Sequence, residues 1–312
     1  MSKRNPALAA AIGLSLVLLA GCDLEDIGSS ERYASDFHYS YPLKEGGTVT
    51  LETFNGSVDI SGSDSNTVEI NGTKYANSPE ARDAIKIDIQ STPGAVYIRT
   101  IRPSTFHGNL GAKFSLRVPR RVKLERVISS NGSIRVSDVE GSARMRTSNG
   151  GVRTMNLRGD LDAQTSNGGI DVQKHEGSAV LRTSNGRVHA EDVRGAIEAQ
   201  TSNASINVNL LDADPSRPIR LASSNGGVDF TLRSPLRNDV RIHTSNAGIT
   251  VHLPDPPNAR ISAQTSNGSI RTEFQVKSAG EISKHRLEGE VGSGGPLMDL
   301  STSNGSIRLL RL

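Results

Sequence analysis

Apolar and polar residues alternate one for one on both sides of a short polar motif, Ser/Thr-Ser-Asn-Gly or a close variant, along most of the chain. In the segment LDAQTSNGGIDV (161–172), the apolar residues Leu161 and Ala163 precede the motif, and Ile170 and Val172 follow it. Side chains of a β-strand point alternately to opposite faces, so this period of two predicts a half-buried strand on each side of the motif. Each repeat is therefore expected to form two short strands joined by a tight corner.

The motif recurs at a nearly constant interval. Its asparagines are 18 residues apart in the first part of the array and 21 or 22 apart further on, with one interval of 37 before the last copy. A period of this length is typical of a stacked solenoid. We predict an all-β fold, a right-handed single-stranded parallel β-helix with coils of 18–22 residues and an N-terminal β cap. The asparagines are Asn131, Asn149, Asn167, Asn185, Asn203, Asn225, Asn246, Asn267 and Asn304, and an outlying copy, NGSVDI, begins at Asn55.

Two other solenoids have compatible periods but do not fit the pattern. A left-handed hexapeptide helix needs apolar residues six positions after each asparagine. Those positions hold Met155, Gln173, Glu191 and Asn209. A calcium-binding nonapeptide array needs a G-G-x-G-x-D run in both halves of each repeat, and the sequence has none.

The repeated asparagine predicts a hydrogen-bonded ladder. Coils stacked about 4.8 Å apart would let each side-chain amide bond to the asparagines above and below it. The alternation puts the asparagine, and the Ser or Thr two residues before it, on the inner side of the corner. Its phase shifts by one residue across Asn-Gly, which predicts a bulge where Asn or Gly adopts a positive φ. The alternative is that Asn-Gly serves only as a favourable turn dipeptide.

The first part of the chain repeats less regularly. TVTLETFNGSVDISG (48–62) has the pattern of one coil, whereas neighbouring segments predict longer strands, with a loop or short helix at residues 78–83. We predict wider coils or a β cap over residues 37–122, which would protect the open end of the stack. The regular β-helix is predicted over residues 123–312.

The N-terminus has the pattern of a secretory signal. Lys3 and Arg4 precede an apolar run over residues 7–20, which ends in Leu-Ala-Gly and Cys22. We predict a signal peptide at residues 1–21 and a flexible, acidic tether at 22–36. The stretch LAGC resembles the lipobox of bacterial lipoproteins, and this implies lipid on Cys22 and a lipid anchor in the membrane. The alternative is an ordinary signal peptide with a chance cysteine.

The charge balance argues against a nucleic-acid partner. The chain has 36 Lys+Arg and 33 Asp+Glu residues, and removal of residues 1–21 would take away Lys3 and Arg4 but no acidic residue. No basic stripe remains that could displace counterions from a nucleic acid. The sole cysteine, Cys22, cannot form a disulfide within the chain.

The sequence predicts no catalytic residue, metal site or cofactor. The outward position four residues after each asparagine includes two aspartates, Asp171 and Asp229, but they lie three coils apart, or roughly 14 Å. Hydrolysis or elimination of a polysaccharide requires carboxylates, or an acid with a metal or arginine, at close range. The seven histidines show no metal-ligand spacing.

Two regions are candidates for binding. The outward position three residues before each asparagine is a possible ligand face, formed by Arg146, Gln164, Arg182 and Gln200. The alternative is a solvated face with alternating charge. Extra residues at 212–217, 233–238, 253–258 and 278–295 follow the second strand of their coils. They predict a ridge of loops along one flank, unless they reflect tolerated drift in loop length.

The lipobox, the NGSVDI start, the RVP segment (117–119) and the serial TSNG coils resemble the bacterial putative-adhesin family of β-helical cell-envelope lipoproteins, a domain of unknown function. The resemblance covers residues 37–312. It implies a non-catalytic binding, scaffold or adhesin-like role in the cell envelope, on the periplasmic side of the inner membrane or at the outer membrane. The partner would be an envelope or surface protein or glycan. The alternatives are a polysaccharide-active β-helix enzyme and a membrane-linked component of an envelope stress-response system.

Overall fold

The computed structural model describes residues 33–312, with the backbone alone for 278–282. Within this range the chain forms 27 strands and one short helix, α1 (Pro79–Asp83). The strands are β1 (Tyr33–Pro42), β2 (Thr48–Thr53), β3 (Val58–Ser63), β4 (Thr67–Ala76), β5 (Lys86–Thr92), β6 (Ala95–Ile101), β7 (Gly111–Pro119), β8 (Lys123–Ser129), β9 (Ile134–Glu140), β10 (Ala143–Thr147), β11 (Val152–Arg158), β12 (Leu161–Gln164), β13 (Ile170–Glu176), β14 (Ala179–Arg182), β15 (Val188–Gly195), β16 (Ile197–Gln200), β17 (Ile206–Ala213), β18 (Ile219–Ala222), β19 (Val228–Leu232), β20 (Val240–His243), β21 (Ile249–Leu253), β22 (Ala259–Thr265), β23 (Ile270–Thr272), β24 (Val276–Ile282), β25 (Arg286–Val291), β26 (Leu297–Thr302) and β27 (Ile307–Arg311).

The strands form two large, mostly parallel sheets, so the predicted all-β class is confirmed. Sheet A has the order β1-β4-β7-β3-β9-β11-β13-β15-β17-β19-β21-β27-β23, and sheet B has the order β24-β25-β22-β26-β20-β18-β16-β14-β12-β10-β8-β2-β6-β5. From β8 to β21 the chain alternates between the sheets, and each strand up to β19 pairs in parallel with the strand two positions later. One sheet B strand, the TSNG corner and the following sheet A strand make up a coil.

The register of the sheets matches the 18-residue repeat. Leu161 pairs with Ala179 in sheet B, and Ile170 pairs with Val188 in sheet A. These apolar positions are buried, and the residues between them face outward. A single coil is too small to bury its own apolar face, so the side chains of successive coils form one continuous core between the two sheets.

At the TSNG corner, only one of the two side chains that were predicted to face inward is buried. Thr165 is buried, and its hydroxyl donates to the carbonyl of Gly150 (2.8 Å) while accepting from the N–H of Gly168 (3.2 Å). Asn167 is exposed at the outer side of the corner, so its predicted inward position was wrong. A hydroxyl can satisfy these two backbone groups within the narrow corner, whereas the larger amide is accommodated outside it.

A positive φ occurs at the predicted place in the Asn55 corner, at Gly56 (φ 121°), but in the regular coils the positive φ angles lie in a different turn. In the 18-residue coils they occur six residues before the threonine of the next TSNG motif, at Gly159 (φ 133°) and Gly177 (φ 134°), and nine residues before it, at Asn156 and Lys174 near the ends of β11 and β13. The glycine of the TSNG corner is instead required by close stacking. A Cβ on Gly168 would come within 1.9 Å of the carbonyl oxygen of Gly150.

The coils at both ends of the stack do not follow chain order. The coil β2–β3 lies between β6–β7 and β8–β9, and the coil β26–β27 lies between β20–β21 and β22–β23. After residue 253 the chain therefore leaves space for one coil, which we call a level of the stack. Residues 297–311 fill this level later. Both inserted coils are paired in parallel on both sides.

Antiparallel strands cover the two ends. At the N-terminal end, β4 pairs with β1 and β7, and the Phe37 ring crosses Gly72 to contact the Phe114 ring edge-on, with 5.5 Å between centroids. Residues 33–36 were predicted to be tether, but they begin β1, because their backbone pairs with residues 73–76. At the other end, β24 and β25 form a hairpin against β22. Residues 278–295 therefore belong mainly to this cap and not to a flank of loops.

One buried position departs from the apolar pattern. His175 on β13 is fully buried between Leu157 and Val193 of the neighbouring strands, and neither ring nitrogen has a hydrogen-bond partner. Burial lowers the pKa of His175 because it disfavours the charged ring. The backbone groups of Ser178 and Leu157 lie near the ring without reaching hydrogen-bond geometry, and together with the carboxylates of Asp160 and Glu176 they favour the protonated form less than burial disfavours it.

Replacement of His175 by Leu is expected to stabilise the protein and to remove a loss of stability in acid. At neutral pH, removing two unsatisfied buried nitrogens should raise the free energy of unfolding by about 1–2 kcal/mol. The folded-state pKa lies below the unfolded value of about 6.5, so stability falls as the pH drops from about 6.5 towards the folded-state pKa, because in this window the unfolded chain binds the proton more tightly. Denaturant unfolding at pH 5 and pH 7 measures both effects. The exposed His107→Leu variant is the control, and an equal pH dependence in His175→Leu and wild type would contradict the prediction.

Candidate functional site

The repeated asparagines form an unbroken chain of side-chain hydrogen bonds along one corner of the stack. Each Nδ2 donates to the Oδ1 of the preceding coil's asparagine, at 2.5–2.8 Å from Asn149 onward. Asn304 lies between Asn246 and Asn267, in agreement with the inserted coil. At the first end, Asn131 donates to Asn55, which donates to the carbonyl of Leu110. Since both groups of most of these amides are occupied by neighbours, the ladder forms a polar ridge with little capacity left to grip a ligand.

The predicted ligand face is assembled in sheet B, but three of its four side chains already bond to polar neighbours. Arg146, Gln164, Arg182 and Gln200 pair in register along one outer row. Arg146 Nη2 donates to Gln164 Oε1 at 2.7 Å, and Arg182 Nη2 donates to Glu198 Oε1 at 2.7 Å. Gln164 Nε2 donates in turn to Asp162 Oδ1 at 3.1 Å. A ligand on this row would have to replace these contacts.

The loops predicted to form a flanking ridge partly bind one another. Asn238 is buried, and its Nδ2 donates to the carbonyl of Arg217 at 2.8 Å and to that of Asp214. Arg217 Nη1 reaches Ser178 Oγ at 2.9 Å. The N–H and the hydroxyl of Ser216 bond to Asp214 and lower the pKa of its carboxyl group. These contacts order the loops without creating a cleft between them.

A groove that the sequence did not reveal crosses sheet A beside the asparagine ridge. Its volume is about 450 Å³, and it runs across β9, β11, β13 and β15. We call it the arginine groove. Its polar and glycine lining consists of Ser133, Arg135, Gly151, Arg153, Gly169, Asp171, Arg187 and His189.

Two glycines form the floor of the groove, and the backbone conformation does not require glycine at either position. Neither Gly151 nor Gly169 has a positive φ, and a Cβ on either would lie 3.2 Å from a neighbouring carbonyl oxygen, a tight but not prohibitive contact. This position, two residues after the ladder asparagine, holds Ser or Gly in nine coils of the ladder and Arg187 in the tenth. The small residues keep the floor open beside the guanidinium of Arg187.

Positive charge dominates the groove. Arg135 Nη1 is 3.1 Å from Asp59 Oδ1, and Arg153 Nε is 3.6 Å from Asp171 Oδ2. The two arginine side chains are 52% and 60% exposed, so these ion pairs contribute little to stability and can open. Within residues 33–312, Arg187 makes no ion pair or hydrogen bond through its guanidinium. This side chain is therefore free to bind an anion.

The outward aspartates Asp171 and Asp229 are too far apart to act together on one bond. Asp171 lies beside His189 in the register, but Asp229 is three strands further along the same row, past His189 and Asn207. In the described part of the chain, no group of three or more His, Cys, Asp or Glu side chains is placed to hold a metal ion. The groove presents cations and an open floor, which are the features of a binding surface.

Outside the groove, two further observations bear on location. Cys22, the predicted signal peptide (1–21) and most of the predicted tether lie outside the described residues. Among residues 33–312, no helix is long and apolar enough to cross a membrane.

Comparisons with known proteins give structural neighbours only. No protein-family model and no curated protein matches the chain. Solved structures that match over 89% of this chain include a putative cell adhesion protein from Clostridium sporogenes (12% identity, 100% of that chain, TM-score 0.23) and a putative adhesin from Parabacteroides merdae (10%, 96%, 0.35). A putative lipid binding protein from Parabacteroides distasonis also matches (11% identity, 96% of that chain, TM-score 0.33). These names belong to the neighbours, and at these identities the ligand of this chain has to be inferred from the chain itself.

Proposed function

We propose that this protein is a lipid-anchored component of the bacterial cell envelope that binds an envelope or surface ligand without chemically changing it. Its body, on this proposal, is a right-handed single-stranded parallel β-helix that displays the outer face of sheet A. The observation that carries the proposal is the arginine groove, because it combines an open floor with cations that the fold does not need.

The arrangement of the strands supports the helical path. Successive strands alternate between the sheets and pair in parallel one coil apart. Connections between parallel strands are right-handed in about 98% of cases, which favours this hand for the stack. The asparagine ladder, in this proposal, serves to hold the coils in register.

The binding role is favoured by the spacing of charged groups on sheet A. One row along the coils carries Asp59, Arg135, Arg153, Asp171 and His189 in register. Each neighbouring pair is about 4.8 Å apart, so a ligand lying along the stack would meet several polar side chains at once. Many contacts of moderate strength give affinity without a deep pocket.

The anchor is proposed from the sequence. The segment that ends in Cys22 has a basic start, an apolar core and small residues before the cysteine. A lipid on this cysteine would hold the stack at a membrane surface, separated from it by the short segment before β1.

The full-length protein and a Cys22→Ser variant, produced in a bacterium that processes lipoproteins, test both parts of the proposal. We expect radiolabelled fatty acid on the wild type alone and loss of the variant from the membrane fraction. The wild type should also be retained on beads that carry purified envelope polysaccharide or envelope protein, with the ligand recovered at its original length. Shortened polysaccharide would support an enzyme instead, and fatty acid on the Cys22→Ser protein would refute the anchor.

A further inference from the structure

We propose that the arginine groove takes a linear anionic polysaccharide, which lies across β9 to β15 with Arg187 as its anchoring cation. The inference rests on the proposed function, since it names the class of ligand for the same surface. It follows from the charge, the spacing and the shape of the groove.

The charge of the lining selects an anion. The lining has three arginines, Arg135, Arg153 and Arg187, and one carboxylate, that of Asp171, while a second carboxylate, that of Asp59, pairs with Arg135 from outside the lining. A guanidinium presents its N–H groups as a planar fork that matches carboxylate, sulfate or phosphate oxygens in pairs. Arg187 can bind an anion without breaking an existing contact, because its guanidinium has no partner within the described residues. The exposed pairs of Arg135 with Asp59 and Arg153 with Asp171 can exchange their carboxylates for those of a ligand.

The spacing of the cations favours a chain over a small ion. Arg135 and Arg153 belong to successive coils, and Arg187 belongs to a coil two further along. With strands about 4.8 Å apart, the three cations span roughly 14 Å along the stack. One phosphate or sulfate could contact only one or two of them. A polymer with repeated acidic groups could contact all three, and its affinity would gain from the linkage of the contacts.

The shape of the floor favours a slender chain that lies close to the backbone. Gly151 and Gly169 present no side chains, and their neighbours in the same row are Ser133 on one side and Arg187 on the other. Sugar rings can therefore approach the sheet between the asparagine ridge and the arginine row. The groove lining contains no Phe, Tyr or Trp side chain, so it lacks the large stacking platform with which proteins usually hold single-stranded nucleic acids.

The test measures binding of the full-length protein to dextran sulfate and to uncharged dextran of the same length by calorimetry. We expect binding to dextran sulfate that weakens as salt is added, and no measurable binding to dextran. Arg187→Ser introduces the residue that other coils have at this position, and it should weaken binding at least tenfold, because a charge-assisted contact is lost. Arg220→Ser, which removes an exposed arginine from sheet B, should leave the affinity unchanged. Circular dichroism checks that both variants are folded.

Several results would overturn the inference, and three of them concern the affinity of the variant or of other polymers. They are equal affinity of wild type and Arg187→Ser for dextran sulfate, equal binding of dextran, and binding of a single-stranded DNA oligomer as tight as that of dextran sulfate. If inorganic sulfate binds as tightly as the polymer, the site holds single anions and the chain ligand is rejected. Retention on envelope ligands without binding to dextran sulfate would reject this inference alone, whereas retention on neither would also reject the proposed function.

Discussion

Deletion of residues 296–312 is expected to unfold the C-terminal cap, residues 259–291, while the coils before residue 253 stay folded. The deleted segment contains β26 and β27, which fill the level between β20–β21 and β22–β23. Without it, β22 and β23 lose the parallel partners that connect them to the rest of the stack. The cap is then attached to the other coils only through the chain that follows residue 253.

The size of the effect follows from what the segment buries. Met298, Leu300, Ile307 and Leu309 are fully buried, and each such side chain contributes about 1.5–3 kcal/mol through burial. The sum, roughly 6–12 kcal/mol, is comparable with the whole stability of a typical domain. The asparagine ladder is also interrupted, because Asn304 accepts a hydrogen bond from Asn267 and donates one to Asn246. In a stack where each coil contacts only its neighbours, the damage should stay local to the cap.

Limited proteolysis with mass spectrometry would measure this outcome. We expect rapid cleavage within 259–291 of the truncated protein and continued protection of residues 33–253. Deletion of Leu312 alone is the control, since this residue is 58% exposed and follows β27. Protection of the cap in the truncated protein would show that β22 and β23 can pair directly with β20 and β21, and the inserted coil would then not be essential.

The strands could be predicted because the alternation of apolar and polar residues within a single repeat is enough to show which side chains are buried. Leu161, Ala163, Ile170 and Val172 are all buried at the positions that the period of two assigns to them. Their distance from the next repeat also predicts the register, since a coil of constant length brings Ile170 over Val188. These features depend only on residues within one or two repeats.

The order of the coils could not be predicted from the same pattern. Asn304 and Asn267 stand in almost identical motifs, TSNGSIRL and TSNGSIRT, so either coil satisfies the level next to Asn246. The choice depends on the path of the segment between them, where β24 and β25 pair in antiparallel fashion at the outer side of β22. Long-range pairing of this kind leaves no local signal in the sequence.

The sequence does not reveal the arginine groove, because the most conspicuous row of charged residues lies elsewhere on the stack. The outward row three residues before the asparagines, which includes Arg146 and Arg182, is more conspicuous by charge, but its side chains bond to their neighbours. The row two residues after the asparagines contains mostly Ser and Gly, which look like ordinary corner residues. The one indication of the groove in this row is Arg187, which replaces the usual Ser or Gly and follows Gly151 and Gly169 in the row. Only the stacking of coils shows that these residues adjoin Arg135 and Arg153.

Replacement of Gly177 by Ala is expected to lower the free energy of unfolding by about 3–4 kcal/mol, far more than the same change at Gly169. Gly177 has a φ of 134°, a region that is essentially restricted to glycine. Its added Cβ would also lie 2.5 Å from the carbonyl oxygen of Gly159 in the neighbouring coil, so backbone would have to move against backbone. Strain in one coil is transmitted to the next, because Gly195 stacks against Gly177 in the same way.

The comparison with Gly169→Ala isolates these causes within one coil. Both variants add one methyl group, but Gly169 has an ordinary φ and its Cβ would meet the Arg187 carbonyl at 3.2 Å, which a small shift can relieve. We expect it to cost less than about 1 kcal/mol, partly offset by the lower entropy of the unfolded chain. Urea unfolding of the two variants and wild type, monitored by circular dichroism, gives the difference. Equal stability of the two variants would mean that the turn at Gly177 can rearrange to a conformation open to all residues, and the row of stacked glycines would then lose its structural explanation.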